Sequence, residues 1–156
     1  MYDIIIIGMG ISGVTAAIYA KRENKNVLLI DKGMPGGLLN NIDNITNYPG
    51  LPNISGPDFA INLLNQIQSL DIPYKLEEVV ELKLSGKIKV VKTTNNEYKA
   101  SNIILAMGRT PKFLGLENEK SLLGHGISTC AMCDGFFYKN KDIAVVGTGN
   151  SALQET

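Results

Sequence analysis

The sequence lacks the features on which several classes of protein depend. Its 15 basic and 15 acidic side chains leave a formal net charge of zero, which indicates no polyanionic partner such as nucleic acid. It has no apolar run long enough to cross a membrane, and the segment after Met1 lacks the basic start of a secretory signal. These absences favour a soluble, cytoplasmic protein.

Histidine and cysteine are also scarce. The single histidine, His125, has no recognisable partner that would position it as a catalytic base, so we expect it to lie in a loop. The two cysteines, Cys130 and Cys133, are close together and are followed directly by Asp134. In a reducing compartment such a pair favours catalysis or metal binding over a structural crosslink.

The cysteine pair suits redox chemistry. Two close cysteines can pass two electrons by cycling between dithiol and disulfide, and an adjacent carboxylate can handle the proton that moves with them. We therefore expect Cys130, Cys133 and Asp134 to be catalytic, with a two-electron donor bound by the preceding residues.

Two alternatives remain open for the cysteine pair. One is a zinc module that also uses His125, although structural zinc usually takes four cysteine or histidine ligands. The other is an oxidoreductase whose cysteines are incidental.

The N-terminal segment carries a dinucleotide-binding pattern. A short buried strand leads into Gly8-Met9-Gly10-Ile11-Ser12-Gly13, then a helix, and then a second buried strand that ends in Asp31. Gly8 permits a tight turn, Gly10 lets the backbone approach a pyrophosphate, and Gly13 lets helix and strand pack closely. The start of the helix suits phosphate, and Asp31 suits a ribose hydroxyl. The pattern alone does not choose between FAD and NAD.

The middle of the chain predicts a helix, a small sheet and a glycine-rich turn. An amphipathic helix begins near Ser55 and ends near Asp71, and a period of two from Val79 onward predicts a three-stranded meander. Residues 34–39 form a glycine-rich turn where backbone could lie along a flat ring or a second phosphate. Gly108 directly follows the meander and again permits close approach of a ligand.

A second dinucleotide pattern follows the cysteine pair. Residues 142–146 predict another buried strand, and Gly147-Thr148-Gly149-Asn150-Ser151-Ala152 predicts a turn and helix start, with alanine in place of the third glycine. The chain ends at Thr156, about one turn into that helix, whereas a crossover helix needs a second strand to bury its apolar face. We therefore expect these residues to be part of a longer protein.

Two such patterns around Cys-x-x-Cys-Asp resemble the low-molecular-weight, bacterial-type thioredoxin reductases, which are FAD- and NAD(P)-dependent pyridine nucleotide-disulfide oxidoreductases. The resemblance covers the whole chain, and its motifs lie at residues 35–39, 47–50, 106–111, 130–138 and 145–152. It implies an α/β fold. Residues 1–116 would form a Rossmann-like FAD-binding domain with a parallel sheet, helices and a three-stranded β-meander. Residues 117–156 would begin a second, NAD(P)-binding Rossmann-like domain that carries the cysteine pair.

The resemblance also implies an activity and the residues that perform it. Electrons would pass from NADPH via FAD to the disulfide of Cys130 and Cys133 and on to thioredoxin, in a homodimeric protein. Cys133 would lie nearer the flavin, Cys130 would attack thioredoxin, and Asp134 would be the acid and base for the flavin-side thiol. The residues implied to hold FAD are Gly8, Gly10, Ile11, Ser12, Gly13, Asp31, Lys32, Gly36, Gly37, Leu38, Leu39, Asn47, Val79, Ala106, Met107 and Gly108. Those implied to hold NADPH are Gly147, Gly149, Asn150, Ser151 and Ala152.

The chain departs from the family pattern in two respects. Leu38 stands where the family usually has glutamine, so a side-chain hydrogen bond to the flavin is not implied there. The family's NADPH domain continues past Thr156, and the basic residues that would read the NADPH 2′-phosphate are not in this sequence. The sequence therefore does not decide between NADPH and NADH as the electron donor. Some relatives use ferredoxin, but they have lost the second glycine pattern, which is intact here. We expect the chain alone to bind FAD weakly or not at all and to show no NADPH-linked turnover.

Overall fold

The computed structural model describes residues 1–110 and 112–154, without the side chains of Met132, Cys133, Ser151 and Gln154. The chain divides into two compact units, Met1–Gly108 and Arg109–Thr156. The boundary at residue 116 between an FAD-binding and an NAD(P)-binding domain stays a prediction. None of the helices in the described ranges is long and apolar enough to cross a membrane.

The first unit is an α/β fold built on one mixed, six-stranded sheet with the order β3-β2-β1-β6-β5-β4. Strand β1 pairs in parallel with β2 and β6, and β2 pairs in parallel with β3. The last three strands form an antiparallel meander, as predicted. The elements are β1 (Tyr2–Ile7), α1 (Ile11–Arg22), β2 (Val27–Asp31), a 3-10 helix (Gly37–Asn41), α2 (Gly56–Ser69), β3 (Tyr74–Leu76), β4 (Val79–Lys83), β5 (Lys89–Thr93) and β6 (Glu97–Leu105).

The apolar strands β1 and β2 are buried on both faces, because each face packs against a different layer. On one face, Ile6 belongs to a cluster with Phe59 and Leu63 of α2. On the other face, Ile5 packs with Val91 of the meander. Continuous apolar runs, rather than alternation, are typical of strands covered on both sides. The prediction that β1 and β2 are strands buried on both faces is therefore confirmed, and this burial explains their apolar composition.

Helix α2 begins where the sequence predicts it. The Ser55 hydroxyl caps the helix by accepting a hydrogen bond from the backbone N–H of Asp58 at 3.1 Å, and Pro57 lies in the first turn. Both features satisfy or avoid N–H groups that have no partner inside a helix. The face that α2 turns toward the core carries the apolar residues spaced four apart, Phe59, Leu63 and Ile67.

The second unit consists of turns and short helices among its described residues. It contains α3 (Ala131–Asp134), a 3-10 turn (Gly135–Tyr138) and α4 (Asn150–Gln154). The predicted helix start after Gly147 is confirmed. The predicted buried strand at 142–146 is wrong, because these residues form no strand and Ile143 and Val146 are 66% and 67% exposed. A strand needs a paired neighbour and covered faces, and residues 112–154 contain no other strand.

A buried carboxylate organises the start of the second unit. Glu119 accepts hydrogen bonds from the backbone N–H groups of Leu114, Gly115 and Leu116 at 2.9, 2.8 and 3.2 Å. The bond from Leu114 is the main reason that the pKa of Glu119 lies below its usual value, and burial partly opposes this shift. The carboxylate therefore fixes a turn whose N–H groups would otherwise lack partners.

A polar network around Glu77, just before the first strand of the meander, connects the chain there to β5, β6 and the turn between them. The Glu77 carboxylate accepts hydrogen bonds from the Thr93 hydroxyl at 2.5 Å, the Asn96 amide at 2.9 Å and the Tyr98 hydroxyl at 3.0 Å. The bond from Thr93 is the main reason that the pKa of Glu77 lies below its usual value. Burial, reinforced by the bond to Glu77, raises the pKa of Tyr98 to about 12.

Replacing Glu77 with glutamine should destabilise the fold by about 1–2 kcal/mol at neutral pH, since hydrogen bonds to a charged acceptor are lost. Because folding lowers the pKa of Glu77, its contribution is fully present above the ordinary value of 4.5 and is lost as pH falls through the folded value. The difference between wild type and Glu77→Gln in urea unfolding should therefore shrink below pH 4.5. Glu78→Gln removes the same charge from an exposed neighbour. Equal destabilisation by both variants would contradict the network's role.

Two glycines of the first pattern have different structural roles. A Cβ atom at Gly13 would lie 1.9 Å from the carbonyl oxygen of Gly8, so helix α1 approaches the preceding turn too closely for a side chain. A Cβ atom at Gly10 would meet only the carbonyl oxygen of Gly36, at 4.0 Å. Gly13 is therefore required by packing, whereas the space beside Gly10 is open.

Gly13→Ala should lower the free energy of unfolding by at least about 2 kcal/mol, because the added methyl group forces backbone atoms apart. Gly10→Ala should change it by less than about 0.5 kcal/mol, since nothing in the chain occupies that space. Urea unfolding of the two variants beside wild type measures both values. Comparable losses of stability in the two variants would show that Gly10 is also a packing residue.

Candidate functional site

Three segments of the first unit meet at the carboxyl edge of its parallel sheet. The register pairs Ile7 with Ile30 on one side and with Leu105 on the other, so the three strands end at the same level. The segments that follow β1, β2 and β6, beginning at Gly8, Lys32 and Ala106, are therefore neighbours. In open α/β sheets this edge is where ligands bind.

The turn after β1 is held tightly against both flanking strands. The backbone N–H of Gly8 donates to the Ile30 carbonyl at 2.8 Å, and that of Ala106 donates to the Ile7 carbonyl at 2.7 Å. Gly8 has a φ of +108°, and a Cβ atom there would lie 2.2 Å from the carbonyl oxygen of Ala106. Only glycine fits, so the tight turn predicted at Gly8 is present.

The glycine-rich turn at 36–37 lies beside this first turn. The backbone N–H of Gly36 donates to the Met9 carbonyl at 2.8 Å, and a Cβ atom at Gly37 would lie 3.9 Å from the Cα atom of Gly10. Both glycines have positive φ, +108° and +55°. Gly10 and Gly37 thus bring the two turns close together without a side chain between them.

Asp31 has a structural role that the sequence did not reveal. One carboxylate oxygen accepts from the backbone N–H of Met9 at 2.7 Å, and the other accepts from that of Gly33 at 3.1 Å. Asp31 therefore holds the first turn in place. A carboxylate has about four lone-pair sites, so it retains capacity to accept a ribose hydroxyl as well. The role of the Met9 backbone N–H could not be predicted from the sequence, because every residue except proline has such a donor.

The other residues predicted to hold FAD are distributed around this edge. The backbone N–H of Glu77 donates to the Asp31 carbonyl at 2.8 Å, which brings the chain just before Val79 beside Asp31. Asn47 lies in an exposed loop, and Leu39 is buried in the core. Besides Asn47, the exposed members of the predicted set are Ser12, Lys32, Gly37, Leu38, Met107 and Gly108. Pro111, in the motif at 106–111, lies outside the described residues.

This edge of the sheet fits the pyrophosphate of a dinucleotide. The first turn of α1 has N–H groups without acceptors inside the helix, and it carries neither a side-chain cap nor an acidic residue. The positive end of the helix dipole is therefore not neutralised by the chain itself. The open space beside Gly10 would let a phosphate approach this turn.

The predicted redox motif lies at the start of α3 in the second unit. Cys130 is disulfide-bonded and occupies the N-cap position. Cys133 lies within α3, and its side chain is outside the described part of the structure. The backbone N–H of Asp134 donates to the Cys130 carbonyl at 3.1 Å, so the predicted acid is one helical turn from the first cysteine.

Ser128 connects the acid to the first cysteine, and sequence reasoning missed it. Its hydroxyl donates to a carboxylate oxygen of Asp134 at 2.8 Å and accepts from the backbone N–H of Cys130 at 3.0 Å. A serine two residues before a helix N-cap is common as a local turn-former, so spacing alone gave no functional signal.

The second dinucleotide pattern fits a nucleotide only in part. The turn and helix start are formed: Gly147 has a φ of +153°, and the backbone N–H of Leu153 donates to the Gly149 carbonyl at 3.3 Å. A Cβ atom at Gly147 would lie 3.0 Å from that of Ala152. Asn150 begins α4, and the Ser151 side chain is outside the described residues. The strand that should precede the turn is missing, as described above.

The described residues contain no group of three or more His, Cys, Asp or Glu side chains placed to hold a metal ion. His125, one of the ligands considered for zinc, lies exposed in the turn between Leu123 and Ile127, which form an isolated bridge. The expectation that His125 is a loop histidine is therefore confirmed.

Known proteins resemble the chain over nearly its whole length. It is 41% identical over 155 residues to thioredoxin reductase of Bacillus subtilis strain 168, covering 99% of this chain and 49% of that protein. The structure of thioredoxin reductase from Streptococcus pyogenes MGAS5005 has a TM-score of 0.90 and 40% identity, with coverage of 99% and 51%. A ferredoxin-flavin thioredoxin reductase from Clostridium acetobutylicum has a TM-score of 0.67 and 34% identity, with coverage of 99% and 53%.

The chain spans about half the length of the curated relatives that it matches. The family model for pyridine nucleotide-disulphide oxidoreductases matches residues 2–156, which include both glycine patterns and the cysteine pair. The chain therefore belongs to the pyridine nucleotide-disulphide oxidoreductase family.

Proposed function

We propose that the full-length protein is a thioredoxin-disulfide reductase that uses FAD and NADPH. The observation that carries this proposal is the disulfide-bonded Cys130 beside Asp134, in a chain whose relatives are named thioredoxin reductases. Its partners would be thioredoxin or a thioredoxin-like protein. The full-length protein would be a homodimer, as the resemblance implies, and it would be cytoplasmic, as its composition favours.

In this proposal FAD is held at the carboxyl edge of the first unit's sheet. The open space beside Gly10 and the uncapped start of α1 support a pyrophosphate there, and the remaining lone pairs of Asp31 support a ribose contact. The turn beginning at Gly147 would hold NADPH in the complete second domain. Bound FAD would supply two-electron transfer between the nicotinamide and the protein disulfide.

The two cysteines would carry the electrons to the partner, and Asp134 would handle the proton that moves with them. The Cys130 thiolate attacks one sulfur of the thioredoxin disulfide, so a mixed disulfide forms and a thioredoxin thiolate leaves. The Cys133 thiolate then attacks the sulfur of Cys130, which releases reduced thioredoxin and restores the disulfide of Cys130 and Cys133. Two electrons leave the dithiol and two enter the partner disulfide. Asp134 gives and takes the proton of the flavin-side thiol, Cys133.

A ferredoxin-linked reductase of the same fold is the alternative, and the similarity to the Clostridium acetobutylicum protein favours it. The glycine turn at Gly147 and Gly149 favours a nicotinamide donor instead. Turnover of the full-length protein with NADPH, NADH or reduced ferredoxin as sole donor separates these cases. Turnover with ferredoxin alone would identify the alternative as correct.

Cys130→Ser and Cys133→Ser in the full-length protein should each reduce NADPH-driven reduction of thioredoxin to background, because neither single thiol can form the disulfide. FAD content, read from visible absorbance, should stay at the wild-type level. Full activity in either variant would refute the proposed relay. One zinc ion per chain, found by elemental analysis together with loss of that zinc in the variants, would favour the metal-binding alternative.

Gly10→Ala should weaken FAD binding to the full-length apoprotein at least about tenfold, which corresponds to about 1.4 kcal/mol. The added methyl group would occupy the open space through which the pyrophosphate approaches. Gly33→Ala is the matched control, because a Cβ atom there has no atom within 4 Å. Fluorescence titration with FAD measures both dissociation constants. An unchanged constant for Gly10→Ala would place the pyrophosphate elsewhere.

A further inference from the structure

We propose that Ser128 is a positioning residue that holds the Asp134 carboxyl group in place in both of its protonation states. This inference rests on the proposed function, in which Asp134 gains and loses a proton during each turnover. Such a group needs a hydrogen-bond partner that suits it as a carboxylate and as a carboxylic acid. A serine hydroxyl can be that partner, because it is both a donor and an acceptor.

The Ser128 hydroxyl lies at the centre of three short contacts. Its oxygen is 2.8 Å from a carboxylate oxygen of Asp134 and 3.2 Å from the carbonyl oxygen of Cys130. It also accepts from the backbone N–H of Cys130 at 3.0 Å. A hydroxyl has one proton and two lone pairs. The N–H bond uses one lone pair, so one lone pair remains, and the proton can point to either of two acceptors.

These contacts accommodate both states of Asp134. When Asp134 is ionised, the Ser128 proton points to the carboxylate oxygen, which is the nearer acceptor. When Asp134 is protonated, its own O–H donates to the remaining lone pair of Ser128. The hydroxyl proton of Ser128 then turns to the Cys130 carbonyl. Ser128 keeps its own proton, which only turns about the Cβ–O bond. The proton that is exchanged with the thiol is therefore carried by Asp134 alone.

The Cys130 carbonyl can take part without losing its existing bond. It already accepts from the backbone N–H of Asp134 at 3.1 Å, and a carbonyl oxygen has two lone pairs. The arrangements with ionised and with protonated Asp134 therefore use the same oxygen positions, and in both of them each of these donors has an acceptor. The carboxyl group stays fixed relative to the backbone of the redox-active Cys130 while its charge changes.

The test uses full-length, FAD-loaded protein with NADPH and thioredoxin. Ser128→Ala should lower kcat about tenfold with KM for thioredoxin unchanged, since it removes one hydrogen bond to a charged group. Ser128→Thr keeps a hydroxyl at the same position and should retain most of the activity. Ser121→Ala is the matched control: it removes an exposed hydroxyl in the same unit, which donates to the Asn118 carbonyl at 2.8 Å. It should behave as wild type.

A double-mutant cycle separates positioning from a general structural role. Asp134→Asn should lower kcat at least about 100-fold, as loss of a general acid and base does. If Ser128 acts through Asp134, adding Ser128→Ala to Asp134→Asn should cause no further loss. A full additional tenfold loss in the double variant would overturn the inference. Equal losses in Ser128→Ala and Ser128→Thr, or wild-type kcat in Ser128→Ala, would also overturn it. A wild-type protein that reduces no disulfide would refute the proposed function and this inference together.

Discussion

The parallel pairing of β1 with both β2 and β6 is the constraint on which the first unit depends. It brings the ends of three strands, distant in sequence, to one level of the sheet. One edge of the sheet therefore carries three features that are far apart in the sequence: the turn at Gly8, the Asp31 carboxylate and the turn at Ala106. The close approach of Gly8 to Ala106 follows from the same pairing, which is why a side chain is excluded there.

Much of this arrangement could be predicted from the sequence, because its signals are local. Unbroken apolar runs mark strands that are covered on both faces, and the start Ser55-Gly56-Pro57-Asp58 marks α2. The glycine spacing at 8–13 predicts the turn, the close helix and the open space, and the geometry at Gly8, Gly10 and Gly13 agrees residue by residue. The cysteine pair and its adjacent acid are also visible in the sequence, and their catalytic role stays a prediction.

The remainder could not be predicted, because it depends on partners distant in sequence or on the main chain. Strand β3 has only three residues and gains its identity from pairing with β2. The bond from the Met9 backbone to Asp31 involves a donor that every residue possesses. Residues 142–146 carry a strand-like composition, yet composition cannot provide a neighbouring strand. Ser128 lies beside the cysteines in sequence, but its three contacts appear only once α3 is folded.

The two bonds that Asp31 accepts affect how mutagenesis at this position should be interpreted. Because Asp31 holds the turn at Met9 as well as offering lone pairs to a ligand, its removal alters the free protein along with the complex. Truncation energies include such reorganisation of the unbound state. A binding defect after substitution of Asp31 would therefore exceed the strength of the proposed ribose contact.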